Sequence, residues 1–117
     1  MAGPNPVRVV VLDILEEIDI AEEALAGRSF EEADGDRVAR RAIERCIAII
    51  SEAARRIPDE ILDQYPAVPW KSIKGVGNII RHDYDHIDAR IMWQITTSHL
   101  PQLKQTMNSL LAILPTD

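Results

Sequence analysis

The sequence predicts an all-α fold, an antiparallel up-and-down bundle of four main helices plus one short helix. Apolar residues recur at intervals of three and four over long stretches, which is the period of a helix buried on one face. No segment shows the strict alternation of a half-buried strand. The 117 residues suit a single domain spanning 1–117, and the small number of aromatic residues predicts an aliphatic core.

The first long helix is predicted over residues 7–26, where apolar residues form one stripe and acidic residues occupy the other face. Gly27 is expected to end it, because glycine readily adopts the left-handed conformation found at helix ends. The sequence from Ser29 to Glu32 has the pattern of a capping box, which predicts a short turn or helix.

The second long helix is predicted over residues 37–57, with Asp36 as its N-cap. Pro58 is expected to stop it, and residues 59–64 could form one short helix. Cys46 lies on the apolar stripe of the second helix, so we expect a buried, unreactive thiol. A single cysteine excludes an internal disulfide framework and fits a reducing cytoplasm.

The C-terminal third of the chain predicts two helices separated by a break. Asp88 is expected to cap a helix over residues 89–97. Thr97 or Ser98 is then expected to cap the last long helix, with Pro101 in its first turn.

The densest group of polar residues lies near the end of the third long helix, which is predicted over residues 70–83. Three of these residues share one helical face by their spacing: Asn78, Arg81 and His82. Tyr84 is two positions after His82 and would point away from it on an unbroken helix. The two side chains can converge only if the helix ends or bends near Asp83, so a site at a helix end is predicted.

Gly75 and Gly77 precede this polar group within the same predicted helix. Each costs roughly 1 kcal/mol relative to alanine in a helix interior, so both need a compensating reason. Close packing of another helix, from this chain or from a second copy, is one such reason. Close approach of a phosphate backbone is the other.

The chemistry of this group fits metal-free RNA cleavage. His82 can take the proton of a ribose 2′-hydroxyl, Arg81 can hold the phosphate, and Asn78 can orient the imidazole or a phosphate oxygen. Structural readings also exist, in which Arg81 pairs with Asp85 and Tyr84 is a core residue. Lys71 and Lys74, on the first turns of the same helix, are further candidates for phosphate binding.

A metal site is a separate hypothesis. His82 and His86 are four residues apart, the spacing with which two imidazoles bind zinc on one helical face, and Asp83 and Asp85 add oxygen donors. No third ligand is evident, and zinc binding would require the helix to continue past Tyr84. We therefore expect neither a metal nor any other cofactor.

Charge is distributed unevenly along the chain, whose net charge is −6. Acidic residues dominate positions 1–36, whereas bases slightly outnumber acids over 37–117. The acidic part is either a solvated face or a contact for a basic partner. Neither a membrane-spanning segment nor a signal peptide is evident, so a cytoplasmic protein without membrane contact is expected.

Over nearly its whole length the chain resembles the HepT-like branch of the HEPN superfamily. The matching segments are Arg28-Ser29-Phe30, Ile49 to Ala54, Val68 to Ile73, Asn78 to Tyr84, Asp88, Trp93 and Leu100 to Leu103. The resemblance implies a helical homodimer and a metal-independent ribonuclease that acts as a toxin. It also implies a minimal nucleotidyltransferase as antitoxin partner, which can adenylylate the tyrosine that corresponds to Tyr84.

The motif of that family separates an arginine from the histidine by four to six intervening residues. His82, Tyr84 and Asn78 match the histidine, the tyrosine and the polar residue, but Gly77, Val76 and Gly75 stand where the arginine is expected. The leading hypothesis is a homodimeric ribonuclease in which Arg81, with Lys74, supplies the cation. The alternative is a HEPN protein with weakened or no catalysis that binds its nucleotidyltransferase or a nucleotide. Glu52 is a candidate for orienting His82, with Arg55 or Arg56 as alternative partners.

Overall fold

The computed structural model of the protein describes residues 5–83, 85 and 87–116, and these contain helices but no strand. The α-helices are α1 (Pro6–Leu25), α2 (Phe30–Asp34), α3 (Arg37–Ala54), α4 (Asp59–Leu62), α5 (Trp70–His82), α6 (Ala89–Gln94) and α7 (Leu100–Ile113). A π-helical segment, Ile95–His99, joins α6 directly to α7. The predicted all-α bundle of four main helices is confirmed: the four are α1, α3, α5 and the continuous α6–α7. Two short helices, α2 and α4, accompany them among the described residues, and the sequence had indicated a short helix or turn at both places.

Helix α1 begins at Pro6, one residue before its predicted start, and ends at Leu25, one residue before its predicted end. The side chain of Asn5 caps it by accepting from the backbone N–H of Val7 at 3.0 Å. At the other end Ala26 already adopts the left-handed conformation, with φ 52°, and Gly27 continues it with φ 68°. Gly27 therefore follows the helix end rather than forming it.

Arg28 fastens the end of α1 to the start of α3. Its guanidinium donates to the backbone carbonyls of Ala24, at 2.6 Å, and Leu25, at 3.1 Å, which are among the unpaired carbonyls at the end of α1. It also pairs with Asp36 at 3.1 Å. Asp36 in turn caps α3 as predicted, because its carboxylate accepts from the first N–H groups of that helix.

Helix α3 ends at Ala54, three residues before the predicted end at Ile57. The N–H groups of Arg55, Arg56 and Ile57 donate to carbonyls three residues back, so the chain tightens into a turn ahead of Pro58. This agrees with the restriction that proline places on the residues before it. Helix α4 is likewise two residues shorter than the predicted 59–64, because turn hydrogen bonds follow Leu62.

The predicted break at Thr97 and Ser98 is wrong, since the helix continues through both residues. The hydroxyl of Thr97 donates to the carbonyl of Trp93 at 2.9 Å, which is a bond within a helix and not an N-cap. Pro101 lacks the N–H that would bond to the carbonyl of Thr97. The wider π-helical turn lies immediately before this proline and accommodates it without a break. Asp88 caps α6 as predicted.

The core between the four main helices is aliphatic, as predicted. Its fully enclosed members are mainly isoleucine, leucine and methionine: Ile14, Ile18, Ile50, Ile57, Leu103, Met107 and Leu110. Cys46 is buried among them and 2% exposed, in agreement with the expectation of a buried thiol. Within the residues that the structure describes, no helix is both long enough and apolar enough to cross a membrane.

Candidate active site

The polar motif lies at the C-terminal end of α5, and the other end of this helix is anchored by Trp70. The indole Nε1 of Trp70 donates to the carbonyls of Leu62 and Tyr65, both at 3.1 Å. His82 is the last residue of α5, and Asp83 leaves the helical conformation with φ −128° and ψ 44°. The predicted end of the helix near Asp83 is confirmed. Tyr84 lies outside the described residues.

Arg81 is held by two partners on the exposed side of α5. Its guanidinium donates to Asn78 Oδ1 at 2.6 Å and lies 3.9 Å from the carboxylate of Glu52 on α3. The side chains of Arg81 and Glu52 are 57% and 51% exposed. Exposed ion pairs contribute at most about 1 kcal/mol, so a phosphate can displace Glu52 at small cost. The partner of Glu52 is therefore Arg81. The sequence had suggested His82, with Arg55 or Arg56 as alternatives.

The imidazole of His82 is exposed beside Arg81 and has no hydrogen-bond or ion-pair partner among residues 5–83, 85 and 87–116. Its nitrogens are therefore open to a substrate. Arg81 and His82 both occupy the last turn of α5, where the partial negative charge of the helix end favours cationic side chains. A free imidazole and an oriented guanidinium on adjacent residues can respectively move a proton and bind a phosphate.

Gly77 is the point of closest approach between α5 and α3. The hydroxyl of buried Ser51 on α3 accepts from the Gly77 N–H at 3.1 Å and donates to the Lys74 carbonyl at 2.9 Å. A Cβ at position 77 would lie 2.5 Å from Ser51 Oγ and 2.8 Å from Ser51 Cβ. Close packing within this chain thus explains Gly77. The contact also excludes an arginine from position 77, so a cation at this site must come from elsewhere.

Gly75 has a different environment, because a Cβ there would meet nothing within 4 Å. It lines an apolar groove of about 530 Å³ between α5 and the α6–α7 helix. Val76, Ile79, Ile91 and Ile95 contribute to its walls, and Ile79 and Ile91 are 52% and 49% exposed. Among the described residues no helix covers Gly75, so packing within that part of the chain does not explain a glycine at this helical position.

The two lysines of α5 lie away from His82. Lys74 precedes it by eight residues, or about 12 Å along the helix, and Lys71 by about 16 Å. The ammonium group of Lys74 pairs with Asp59 at 3.3 Å. Its backbone carbonyl also accepts from Arg55 at 2.7 Å. The structure therefore brings Asn78 and Arg81 together beside His82, and it places the lysines at the other end of α5.

The zinc hypothesis required one continuous helical face from His82 to His86. Helix α5 ends at His82, so this face does not extend that far. The described residues contain no group of three or more histidine, cysteine, aspartate or glutamate side chains placed to bind a metal. His86 itself lies outside those residues.

A cleft of about 410 Å³ opens beside Arg81, between α1, α3 and α5. Arg45 and Arg56 line it from α3 and the turn that follows, and Asp13 and Glu17 line it from α1. These residues were absent from the candidates taken from the sequence, as was Ser51. The spacing of the arginines along α3 was the available signal, whereas the contact of Ser51 depends on tertiary packing.

Cys46 takes no part in this site. Burial is the main cause that raises the pKa of its thiol from 9.0 to about 11, and the nearby Glu17 carboxylate adds to the effect. Thiolate is the nucleophilic form of cysteine, and at neutral pH very little of it is present here. The thiol is a structural group, as the sequence suggested.

The fold and this site define a class of protein: a small helical bundle that presents a free histidine and a partnered arginine at a helix end. A family model described as Ribonuclease HepT-like matches residues 14–110, and the chain belongs to this HepT-like family of the HEPN superfamily.

Individual relatives agree with this assignment. A "Putative RNase" of Caldanaerobacter subterraneus subsp. tengcongensis is 34% identical over 98 residues, which cover 84% of this chain and 88% of the relative. A "Putative RNase" of Methanocaldococcus jannaschii is 32% identical, covering 85% and 91%. The "Probable ribonuclease HepT" of Thermococcus cleftensis is 30% identical, covering 79% and 84%. No solved structure matches the chain significantly.

Proposed function

We propose that this protein is a metal-independent endoribonuclease in which His82 acts as general base and Arg81 holds the scissile phosphate. One observation carries the proposal. At the exposed end of α5, the imidazole of His82 lies next in sequence to the guanidinium of Arg81, which Asn78 already orients. The membership in the HepT-like family and the names of the relatives support the same reaction class.

The reaction follows from the roles of these groups. Neutral His82 removes the proton of a ribose 2′-hydroxyl, and the 2′ oxygen attacks the adjacent phosphorus. Arg81 stabilises the charge that develops on the phosphate oxygens. The bond from phosphorus to the 5′ oxygen breaks, and this oxygen takes up a proton from water. The products carry a 2′,3′-cyclic phosphate and a 5′-hydroxyl.

The proposal includes a homodimer whose interface is the apolar groove beside Gly75. Soluble monomers rarely leave large apolar patches uncovered, and the groove exposes Ile79 and Ile91. Ile79 is three residues from His82, so a second copy on this face would bring two sites close together. The two copies of Arg81 would then make the space between the two sites locally basic within an acidic protein.

The proposal further assigns a minimal nucleotidyltransferase as the antitoxin partner, with Tyr84 as the residue that it adenylylates. An adenylyl group adds a negative phosphate two positions from His82, and this charge would repel RNA. Incubation with such a nucleotidyltransferase and ATP should increase the mass of the protein by one adenylyl group, and Tyr84→Phe should abolish the increase.

The ribonuclease activity is tested with purified protein and RNA in the presence of a chelator. Wild type should cleave, and His82→Ala should lose cleavage while keeping the helical circular dichroism spectrum. Asn108→Ala is the control, because Asn108 is an exposed polar residue on α7 that lines neither the cleft nor the apolar groove. Equal cleavage by wild type and His82→Ala would refute the role of His82.

A second candidate function is supported by Gly77. The contact of Gly77 with Ser51 removes the family arginine from its usual position. A protein that lacks this cation could retain the fold as a binding partner of its nucleotidyltransferase or of a nucleotide. Stable binding of either, without cleavage of any RNA by wild type, is the result that would favour this second function.

A further inference from the structure

Helix α3 and the turn after it concentrate positive charge in an otherwise acidic protein. Residues 37–56 contain six arginines and two glutamates, while the whole chain carries −6. Of the seven basic residues elsewhere, five have a partner among the described residues: Arg28 with Asp36, Lys74 with Asp59, Arg81 with Glu52, Lys104 with Asp19 and Glu22, and Arg90 with the ring of Phe30. The arginines of α3 are therefore unusual if they lack such partners.

Four of the six arginines are exposed and unpaired: Arg37, Arg41, Arg45 and Arg56. In the part of the chain that the structure describes, none lies within 4.0 Å of a carboxylate or donates a hydrogen bond. By contrast, Arg40 pairs with Asp34 and Arg55 donates to the carbonyl of Lys74. These four side chains do not stabilise the fold through burial or ion pairs.

These four residues, here called the arginine track, follow one side of α3. Arg37, Arg41 and Arg45 are spaced by four residues, which places them on one face about 6 Å apart along the helix. Arg45 and Arg56 both line the cleft that also contains Arg81. The track therefore begins near the N-terminus of α3 and leads to the guanidinium beside His82.

We propose that the arginine track binds the sugar-phosphate backbone of the RNA strand and delivers it to the site at the end of α5. This proposal rests on the proposed ribonuclease function and names the surface that selects its substrate. Three guanidiniums about 6 Å apart along the helix, followed by Arg56 in the cleft, suit a polyanion with regularly spaced phosphates, since each fork of donors can bind phosphate oxygens. The length of the track, about 28 Å, requires a strand of several nucleotides.

The acidic wall of the cleft, formed by α1, should lower the affinity for RNA. Removing one of its charges should therefore have the opposite effect to removing an arginine. Asp13 and Glu17 line it from α1, and Asp13 is exposed. These carboxylates repel phosphate, as does Glu52 of α3, which also lines the cleft, so the attraction comes from Arg45, Arg56 and Arg81. Asp13→Asn should therefore strengthen RNA binding, whereas loss of a track arginine should weaken it.

The experiment measures binding of a fluorescent single-stranded RNA to His82→Ala protein, which prevents cleavage during the titration. Arg41→Gln and Arg45→Gln are compared with Arg40→Gln, which removes the same charge from a neighbouring position on a different side of α3. Each phosphate contact to a single strand contributes about 0.7 to the slope of log affinity against log salt. Each track substitution should thus lower affinity about 5-fold at 0.1 M salt and reduce the slope by about 0.7. Arg40→Gln should change neither.

The outcomes separate the track from the ribonuclease function. Weaker binding in the two track variants, with Asp13→Asn tighter, supports the track even if wild type cleaves no RNA. Equal losses in Arg40→Gln and Arg41→Gln would overturn it, since overall charge would then explain binding. Unchanged binding in the track variants would overturn it and would leave the proposed cleavage untouched. Thermal unfolding of each variant confirms that these exposed substitutions leave the fold unaltered.

Discussion

Because Gly77 packs against Ser51, replacing this glycine with alanine should destabilise the protein, whereas the same change in an exposed helix stabilises it. In an exposed helix, replacing glycine with alanine stabilises the folded state by roughly 1 kcal/mol. At position 77 the new Cβ would lie 2.5 Å from Ser51 Oγ and 2.8 Å from Ser51 Cβ. Helices α3 and α5 must then separate, or Ser51 must give up its bonds to Gly77 and Lys74.

The size of the effect follows from these two routes. Overpacking a tight contact costs about 1 to 3 kcal/mol, and each lost hydrogen bond costs about 1 kcal/mol. Either route costs about 2 kcal/mol, so after subtracting the gain in helix propensity Gly77→Ala should lower the free energy of unfolding by about 1 kcal/mol. Gly75→Ala is the matched control, because nothing lies within 4 Å of a Cβ there. It should raise that free energy by up to about 1 kcal/mol.

Urea unfolding followed by circular dichroism measures both substitutions. Ser51→Gly removes the side chain that causes the clash, so the double variant Gly77→Ala with Ser51→Gly should lose much less stability than the two single effects added together. If Gly77→Ala were as stable as Gly75→Ala, the close approach of α3 and α5 would be wrong. The explanation for the missing family arginine would then fail with it.

Three further predictions concern Cys46, Glu52 and Ile79. Since burial raises the Cys46 pKa from 9.0 to about 11, the folded state holds this proton more tightly, and stability should fall as pH rises from 9 to 11. Pulse proteolysis should show a smaller fall in Cys46→Ala. Glu52→Gln should tighten RNA binding several-fold at low salt by freeing Arg81, and unchanged binding would argue against phosphate at Arg81. Ile79→Glu should yield monomers in light scattering, whereas a persistent dimer would place the interface elsewhere.

The helical architecture could be predicted from the sequence because it depends on local periodicity. The stripe that includes Ile14 and Ile18, and the caps Asp36 and Asp88, identify buried faces and helix starts without tertiary information. Helix ends were less certain. The end of α3 depends on turn hydrogen bonds, and the continuity of α6 with α7 depends on a π-helical turn before Pro101.

The site was predictable in composition and only partly in geometry. The spacing of His82 and Tyr84 led to the prediction that the helix ends near Asp83, and α5 ends at His82. The bond between Arg81 and Asn78 lies within α5, but the second partner of Arg81, Glu52, comes from α3 and could not be deduced from spacing within α5. Glu52 and Ser51 approach Arg81 and Gly77 across a gap of more than twenty residues, so only the packing of α3 against α5 assigns them.

The most direct test of the central claim uses an oligonucleotide with a single ribonucleotide in an otherwise 2′-deoxy strand, incubated in chelator. Wild type should cut only after that ribonucleotide and leave a 2′,3′-cyclic phosphate, because in the proposed mechanism His82 activates the 2′ oxygen as the nucleophile. His82→Ala should leave the strand intact. Cleavage of the fully deoxy strand, or the same product from His82→Ala, would contradict the proposed mechanism.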